Sequence, residues 1–403
     1  MDPVTLGMAK SAAARKYDKR LADVGLLPAR PVAGHPFNLV STQNDVGQYT
    51  RSKHRIFQAV TEVRLVFGNY TIGTGDQDTA NSITVKASIE APLSTYWPVQ
   101  FPGEDANGYV TLRPGRMVVS DPICIPLAAA SDIWVNTLVA PVGGSGVYPV
   151  GGSMSTGTGS SEWRLPATTT DYTVTAPSGT NTAGPGYGPL AIIGRSVVDQ
   201  PVVAAIGDSI QAGSGDSSYT SWGLGENGWV RRALNNLTPY VFLARSSTLA
   251  RDWPNRGSRY SAKLLNRCTH AVVGFGANDL TASRTLAQIQ ADLASIWQAL
   301  ADRGIKVYQT TITPNVTTTD AYATLANQTP VASNTVRVQL NDWIRTTPAP
   351  LTGFIETADT VESARNSGKW KVTGAANYAT SDGLHPSAAA HPLMAAAMPT
   401  FTV

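Results

Sequence analysis

Three short polar stretches in the second half of the chain carry side chains that could do chemistry together. They are Gly207-Asp208-Ser209, Gly276-Ala277-Asn278-Asp279 and Asp382-Gly383-Leu384-His385. A serine hydroxyl becomes an effective nucleophile only when a base takes its proton, and the imidazole of His385 suits that task near neutral pH. Asp382, earlier in the same stretch, can accept the other ring N–H and so fix the tautomer and orientation of the ring. These residue types predict nucleophilic catalysis with Ser209 as nucleophile, His385 as base and Asp382 as orienting group.

The tetrahedral oxyanion that such an attack forms needs hydrogen-bond donors. The backbone N–H of Ser209 and the side-chain amide of Asn278 are the candidates. Taken singly, each residue also has a structural interpretation, because Ser209 suits a helix N-cap and Asn278 or Asp279 suits a cap or an Asx-turn. The catalytic interpretation therefore depends on the three stretches meeting in space.

The elements that must position these stretches alternate between strand and helix from about Pro201 onward. Four apolar runs typical of buried strands are each followed by a helical pattern: VVAAIG, YVFLA, HAVVGFG and KVYQTTIT, then GENGWVRRALNN, SRYSAKLLNRC, LAQIQADLASIWQALADRG and SNTVRVQLNDWIRT. This alternation predicts a parallel sheet covered by helices, with the ligand site at the carboxyl ends of the strands. Ser209 follows the first strand, Asn278 follows the third, and His385 precedes the last helix. We expect the three side chains to share one cleft.

The tetrapeptides GDSI, GAND and DGLH, in that order, resemble the sequence blocks of the SGNH (GDSL-like) hydrolase family. The resemblance covers about Pro201 to Val403. It implies a flavodoxin-like three-layer α/β/α fold and serine ester hydrolysis without a metal or another cofactor. It also implies the roles given above for Ser209, His385 and Asp382, with Ser209 and Asn278 as oxyanion donors. The other block residues are supporting positions: Gly207, Asp208, Gly276 and Asp279.

One block departs from the family pattern. The family has a glycine after the second strand whose N–H completes the oxyanion hole, whereas this chain has Ala244-Arg245-Ser246-Ser247-Thr248. Ser247 is the closest match and Ser246 lies one residue away. A backbone N–H survives a change from glycine to serine, so the donor persists if the backbone tolerates a side chain.

The first half of the chain has a different pattern. From about His35 to Ser196 apolar and polar residues alternate, as in SITVKASIE and TEVRLVF, which predicts an antiparallel, jelly-roll-like β-sandwich. A stretch from Gly143 to Gly188, rich in small residues and proline, is expected to be an extended decoration or a flexible segment. Thr5 to Val24 reads as one helix with an apolar stripe.

These patterns divide the chain into three predicted parts. Residues 1–34 form a helical arm for attachment or oligomerisation, residues 35–196 a β-sandwich domain that is a candidate carbohydrate-engaging module, and residues 197–403 the hydrolase domain. The chain has 15% charged residues and a net charge of +3 spread along its length, which argues against a nucleic-acid partner. No apolar window is long enough to cross a membrane, and no Sec signal peptide is recognisable at the N-terminus. The remaining histidines have no metal-ligand spacing, so no metal is expected.

The resemblance points to small acyl groups on carbohydrates, acetyl above all. The opening residues, MDPVTLGMAKSAAARKYDKRLADVG, are similar to the start of many phage and prophage tail-associated proteins. We therefore predict a virion- or tail-associated O-acetylesterase that acts outside the cell on acetylated surface polysaccharide. It would be a homo-oligomer, for which a trimer is one possibility, or part of a larger virion assembly through the N-terminal helix. The alternatives are a general carboxylesterase or lipase on small esters, and a non-catalytic glycan-binding or structural tail protein. Three tryptophans could stack on sugar faces or pack in a core, namely Trp222, Trp229 and Trp253, and Trp163 could form part of the rim of the cleft.

Overall fold

A computed structural model describes residues 29–72, 75–154, 162–196, 199–217, 227–235, 237–253 and 260–403. The predicted helix from Thr5 to Val24, Trp222, and residues 155–161 of the stretch from Gly143 to Gly188 lie outside these ranges. We refer to residues 29–196 as the N-terminal region and to residues 199–403 as the α/β region.

The N-terminal region consists of antiparallel strands. Their bounds are β1 Arg30–Pro31, β2 Ser41–Asp45, β3 Gln48–Arg55, β4 Val63–Gly68, β5 Tyr70–Ile72, β6 Asp76–Asp78, β7 Ile83–Glu90, β8 Tyr96–Pro98, β9 Val110–Leu112, β10 Met117–Val119, β11 Asp132–Pro141, β12 Gly146–Met154, β13 Trp163–Pro166, β14 Gly184–Gly186 and β15 Ala191–Gly194. One sheet has the order β1-β15-β4-β10 and a second has the order β13-β3-β11-β7-β8, with β9 also on β7. Smaller sheets join β14-β12-β2 and β5-β6.

The period of two explains these strands. In β7 the apolar residues Ile83, Val85 and Ile89 are fully buried, and β7 pairs antiparallel with β11 from Ile83 opposite Pro141 to Glu90 opposite Trp134. The prediction of an antiparallel, strand-rich first half is confirmed, while its assignment as a jelly-roll-like sandwich stays a prediction. Strand β1 pairs with β15, so strand pairing already begins within the segment 1–34 that was predicted to be an arm.

Within the described part of the stretch from Gly143 to Gly188, three segments are strands of the sheets, whereas we expected an extended decoration or a flexible segment. The stretch contains β12, which pairs with β2, and β13, which pairs with β3. Between β13 and β14, Asp171 forms an ion pair with Lys86 at 2.7 Å, and the Thr173 carbonyl accepts a hydrogen bond from Ser88. The composition of small residues and proline did not indicate these strands. They are held by backbone pairing and polar contacts, which do not require apolar and polar residues to alternate.

The α/β region has a five-stranded parallel sheet in the order β17-β16-β18-β19-β22. Its strands are β16 Val203–Gly207, β17 Tyr240–Phe242, β18 His270–Gly274, β19 Lys306–Thr310 and β22 Gly353–Ile355, and a separate antiparallel pair is β20 Val316–Thr318 with β21 Gln328–Pro330. The helices are α1 Ser209–Ala212, α2 Trp229–Leu234, α3 Ala262–Leu265, α4 Ala277–Thr281, α5 Leu286–Ala301, α6 Asn334–Arg345, α7 Ala358–Val361 and α8 Ala390–Ala395. Second-first-third-fourth-fifth is the strand order of flavodoxin-like folds, so the predicted α/β fold is confirmed.

Candidate active site

The nucleophile candidate lies two residues after the end of a fully buried strand, β16. Every residue of β16 is buried, and Ser209 opens helix α1 immediately beyond it. Asp208 caps this helix, because its carboxylate accepts the Ile210 N–H at 2.9 Å. At Gly207 a Cβ would lie 2.7 Å from both the Gln211 Cβ and the Gly274 carbonyl oxygen, so only glycine fits where the chain turns into the helix.

Ser209, His385 and Asp382 form a hydrogen-bonded chain. The Ser209 hydroxyl lies 2.8 Å from His385 Nε2, and His385 Nδ1 lies 2.6 Å from Asp382 Oδ2. A carboxylate can only accept, so Nδ1 carries the proton and Nε2 presents a lone pair to the serine. The structure thus brings together the three residues that sequence reasoning selected.

The Asp382 carboxylate is held in its ionised form by its own loop. Burial pushes its pKa upward, but hydrogen bonds from the His385 ring and from the backbone N–H groups of His385 and Leu384 outweigh burial and lower the pKa below its ordinary value. Both backbone bonds reach Asp382 Oδ1, at 2.8 Å from His385 and 2.9 Å from Leu384. The loop is anchored at the Gly383 carbonyl, which accepts from the Trp370 indole at 2.9 Å and from the Val316 N–H at 3.1 Å.

The segment after β17, residues 245–250, lies at the same edge of the sheet, and we call it the β17 loop. It leaves the sheet where the Arg245 N–H donates to the Gly207 carbonyl at 2.9 Å. Ser247 has a φ of 64°, in the left-handed region that favours glycine, whereas Ser246 is not among the described residues with positive φ. Of the two adjacent serines, Ser247 therefore has the backbone conformation that a glycine adopts most readily.

Asn278 and Asp279 hold the β17 loop from the side of β18. The Asn278 amide donates to the Thr248 carbonyl at 3.1 Å, and the Asp279 carboxylate accepts the Ala250 N–H at 3.1 Å. An amide nitrogen has two N–H groups, so one N–H of Asn278 remains for another acceptor. Gly276 opens α4 at a φ of 135°, where a Cβ would also press on Ile312 at 2.7 Å.

Two carboxyl groups are buried beneath these backbone segments. Burial raises the pKa of Asp208 to about 7, with a further contribution from the nearby charge of Asp279. Burial likewise raises the pKa of Asp279 to about 6. Asp279 forms a long ion pair with Arg284 at 3.8 Å, and no cation of the described residues forms an ion pair with Asp208. Both serve as backbone acceptors rather than as surface charges.

His391, in helix α8, is a neighbour of the site. It is fully buried, its Nδ1 accepts the Trp229 N–H at 3.0 Å, and its Nε2 donates to the Ser214 carbonyl at 3.1 Å. The next residue, Gly215, packs against His385 and the carbonyl of Pro386. His391 thus ties the chain leaving α1 to the loop of the base, a role that its position inside the last helix did not signal.

The structure rules out sugar stacking by two of the tryptophans proposed for it. Trp229 is 0% exposed and Trp253 is 5% exposed, so both pack in the core. Trp163 is partly buried against a small cluster of Tyr49, Leu138 and Leu165. Among the residues that the structure describes, no group of three or more His, Cys, Asp or Glu could hold a metal ion, and no helix could span a membrane.

Comparisons with known proteins give the family of this half. Residues 205–393 match the model of the GDSL-like lipase/acylhydrolase family. Among solved structures, the chain is similar to the lipase Lip_vut3 from a goat rumen metagenome at 14% identity, covering 49% of this chain and 95% of that one, with a TM-score of 0.37. It is similar to a lipolytic protein of the G-D-S-L family from Desulfitobacterium hafniense at 16% identity, covering 49% and 97%, with a TM-score of 0.36. It is also similar to the protein YxiM from Bacillus subtilis at 14% identity, covering 88% and 77%, with a TM-score of 0.34. No curated protein matches the chain.

Proposed function

Residues 205–393 are a GDSL-like lipase/acylhydrolase domain, and from this premise we propose that the protein is a serine esterase that removes acetyl groups from a polysaccharide. The observation that carries the esterase assignment is the hydrogen-bonded chain from Ser209 through His385 to Asp382, at 2.8 and 2.6 Å. A serine held this close to a ring nitrogen, with the ring oriented by a carboxylate, is equipped for nucleophilic attack.

The reaction proceeds in two halves. Ser209 Oγ attacks the ester carbonyl carbon while its proton passes to His385 Nε2, and Asp382 stabilises the imidazolium that forms. The tetrahedral adduct collapses when the C–O bond to the sugar breaks and the imidazolium returns its proton to the leaving oxygen. A water molecule then attacks the acyl-serine with His385 again as base, which releases the acid and regenerates Ser209.

The oxyanion of both tetrahedral adducts needs donors at the edge of the sheet. We assign these to the backbone N–H groups of Ser209 and Ser247 and to the uncommitted N–H of Asn278. The glycine-like backbone of Ser247 and the bond from Asn278 to the Thr248 carbonyl support this assignment. Each such donor contributes about 100- to 1000-fold in rate.

A small cavity adjoins the site. It is lined by Ala277, which precedes Asn278, by Leu384, which precedes His385, and by Ile312 together with polar residues that include Arg337. Its volume of about 10 Å³ is close to that of one water molecule, so the cavity has no room for a long acyl chain, which favours a short acyl group.

The polysaccharide substrate, the homo-oligomer and the virion or phage-tail setting are part of the same proposal. They are supported by a strand-rich region ahead of the esterase domain and by the similarity of the opening residues to tail-associated proteins. The test is acetate release from acetylated polysaccharides by the wild type and by Ser209→Ala. Wild-type release that Ser209→Ala abolishes is the expected result, and equal release by both proteins would overturn the assignment of the nucleophile.

Acyl length is tested on p-nitrophenyl esters with the same two proteins. The wild type should cleave the acetate with a kcat/KM well above that for the octanoate. Faster cleavage of the octanoate would replace the acetyl preference with that of a lipase or general carboxylesterase. Absence of any hydrolysis by the wild type would favour a glycan-binding or structural protein.

A further inference from the structure

The oxyanion hole described above is built from two backbone segments that must keep a fixed separation. Ser209 stands at the start of α1, and Ser247 lies on the β17 loop. Oxyanion donors act only when they lie about 2.7–3.1 Å from the charged oxygen. A displacement of about 1 Å can cost about 100-fold in rate, so the structure must hold the loop against the helix.

Asn38, from the N-terminal region, contacts the supports of both segments. Its side-chain amide donates to the Ala244 carbonyl at 3.1 Å, three residues before Ser247. Its side-chain oxygen accepts from the Arg231 guanidinium at 3.4 Å. Arg231 in turn donates to the carbonyl of Ala212, the last residue of α1, at 3.2 Å.

Arg231 is an unusual residue to find in this place. It is 6% exposed, it lies 3.6 Å above the Phe242 ring, and no described carboxylate forms an ion pair with it. Burying a guanidinium without a countercharge costs folding free energy, so its bonds to carbonyl and amide oxygens must be kept. Asn38 supplies one of those oxygens.

The backbone at Asn38 is held in place by contacts with other segments of the N-terminal region. A Cβ at Gly151, on β12, would fall 1.4 Å from the Asn38 carbonyl oxygen, so the two backbones are in direct contact. The neighbouring Leu39 carbonyl accepts the Ile72 N–H at 2.7 Å. The amide of Asn38 therefore acts as a fixed point rather than as a side chain on a loose segment.

The same region reaches the β17 loop at a second point. Ile72 and Gly75 line one small cavity together with Gly207, Arg245 and Thr248. Beside it, the Asp76 carboxylate accepts the N–H groups of Tyr260 and Ser261 at 2.6 and 2.8 Å. Ile72 and Gly75 thus adjoin the β17 loop in addition to Asn38.

We infer that Asn38 is a positioning residue of the esterase site, through which the N-terminal region fixes the oxyanion donor of Ser247 relative to Ser209. This inference rests on the proposed function. It assigns the N-terminal region a part in catalysis in addition to any contact with substrate.

The test compares Asn38→Ala with a matched control, Asn69→Ala, in the full chain. Asn69 is equally buried, and its amide donates to the Asn81 and Leu112 carbonyls at 2.8 and 2.9 Å, all within the N-terminal region. Below the unfolding transition, Asn38→Ala should lower kcat on p-nitrophenyl acetate by about 10-fold or more with KM within about 2-fold, because the donor is misplaced. Phosphonylation of Ser209 by a p-nitrophenyl phosphonate should slow by the same factor. Asn69→Ala should lower the melting temperature and leave kcat within about 2-fold of the wild type.

Asn38→Asp keeps the test decisive if Asn38→Ala does not fold. It retains an oxygen for Arg231 and supplies a countercharge, but it removes the donor to Ala244, so kcat should still fall by about 10-fold or more. The pH dependence of kcat/KM should match the wild type, because the contacts of His385 are untouched. A folded Asn38 variant with wild-type kcat, or an equal fall in Asn69→Ala, would overturn the inference. A wild type that does not hydrolyse the ester would overturn the proposed function, and the inference with it.

Discussion

Replacing Asp208 by asparagine tests the electrostatics beneath the nucleophile. Asp208 is 1% exposed, and burial raises its pKa to about 7. In the unfolded chain an aspartate titrates near pH 3.9, so between about pH 4 and 7 the folded protein keeps a proton that the unfolded protein has released. The free energy of unfolding must therefore fall as pH rises across this window, by up to about 4 kcal/mol at 1.36 kcal/mol per pKa unit.

Asp208→Asn removes this fall while keeping the cap. The asparagine oxygen can still accept the Ile210 N–H, and asparagine caps helices as well as aspartate does. We expect the variant to gain stability over the wild type as pH rises from 4 to 8, by up to about 4 kcal/mol. Urea unfolding followed by tryptophan fluorescence at pH 4, 6 and 8 measures the difference.

The control for this experiment is Asp105→Asn. Asp105 is exposed and also accepts backbone N–H groups, those of Asn107 and Tyr109, so the same change is made at the surface. Its effect should vary little with pH. If the difference between Asp208→Asn and the wild type is also flat from pH 4 to 8, burial does not hold the Asp208 carboxyl in its protonated form. A loss of stability at pH 8 would mean that the negative charge favours α1 and that the reasoning is wrong in sign.

Three further predictions concern the site and its support. Asp382→Asn should lower kcat on p-nitrophenyl acetate by about 1000-fold or more, because the amide no longer fixes the imidazole tautomer, and a fall below about 10-fold would contradict that role. Ser247→Pro removes the proposed N–H donor and the positive φ of this residue, so kcat should fall by about 100-fold or more. The kcat of Ser247→Gly and of Ser246→Pro should stay near that of the wild type. If Ser246→Pro instead loses more activity than Ser247→Pro, the donor is the N–H of Ser246. Arg337→Met should reduce the free energy of unfolding by about 3–5 kcal/mol in urea titrations, because it strands the buried carboxylate of Glu362. Equal stability of wild type and variant would show that the pair contributes little.

The contact between Ser209 and His385 could be predicted because it follows from the topology of the sheet. In a parallel sheet, residues beyond the carboxyl ends of neighbouring strands share one edge, and the order of strands and helices was legible from apolar runs. The contact between His385 and Asp382 is local, three residues apart, and needs only a turn. Both contacts could therefore be predicted from the sequence, the first from the order of strands and helices and the second from the short spacing.

Other features depend on backbone conformation or on contacts between remote segments. The family block favours Ser247 over Ser246 by position alone, because the two residues are of the same type, and the structure adds that Ser247 has a φ of 64°. Trp229 and Trp253 looked like sugar platforms, but the sequence does not show that the N-terminal region and the helices bury them. Asn38 and Ala244 are some two hundred residues apart in the sequence, and no sequence motif predicts the hydrogen bond between them.

The buried charges around the site argue that this part of the fold is organised for positioning rather than for stability. Asp208, Asp279 and Arg231 are each removed from water, and among the described residues only Asp279 has an ion-pair partner, Arg284 at 3.8 Å. Well-packed apolar residues would cost less free energy at such positions. Each of them bonds backbone of a segment that carries or adjoins a reacting group: the start of α1, the β17 loop and the end of α1. Buried charged groups reduce the free energy of unfolding, and here all three hold either α1 or the β17 loop. Such a pattern is expected where a protein gives up some stability to fix the geometry of a site. The same requirement for fixed geometry accounts for Asn38, a residue of the N-terminal region whose side chain bonds the Ala244 carbonyl and the Arg231 guanidinium of the α/β region.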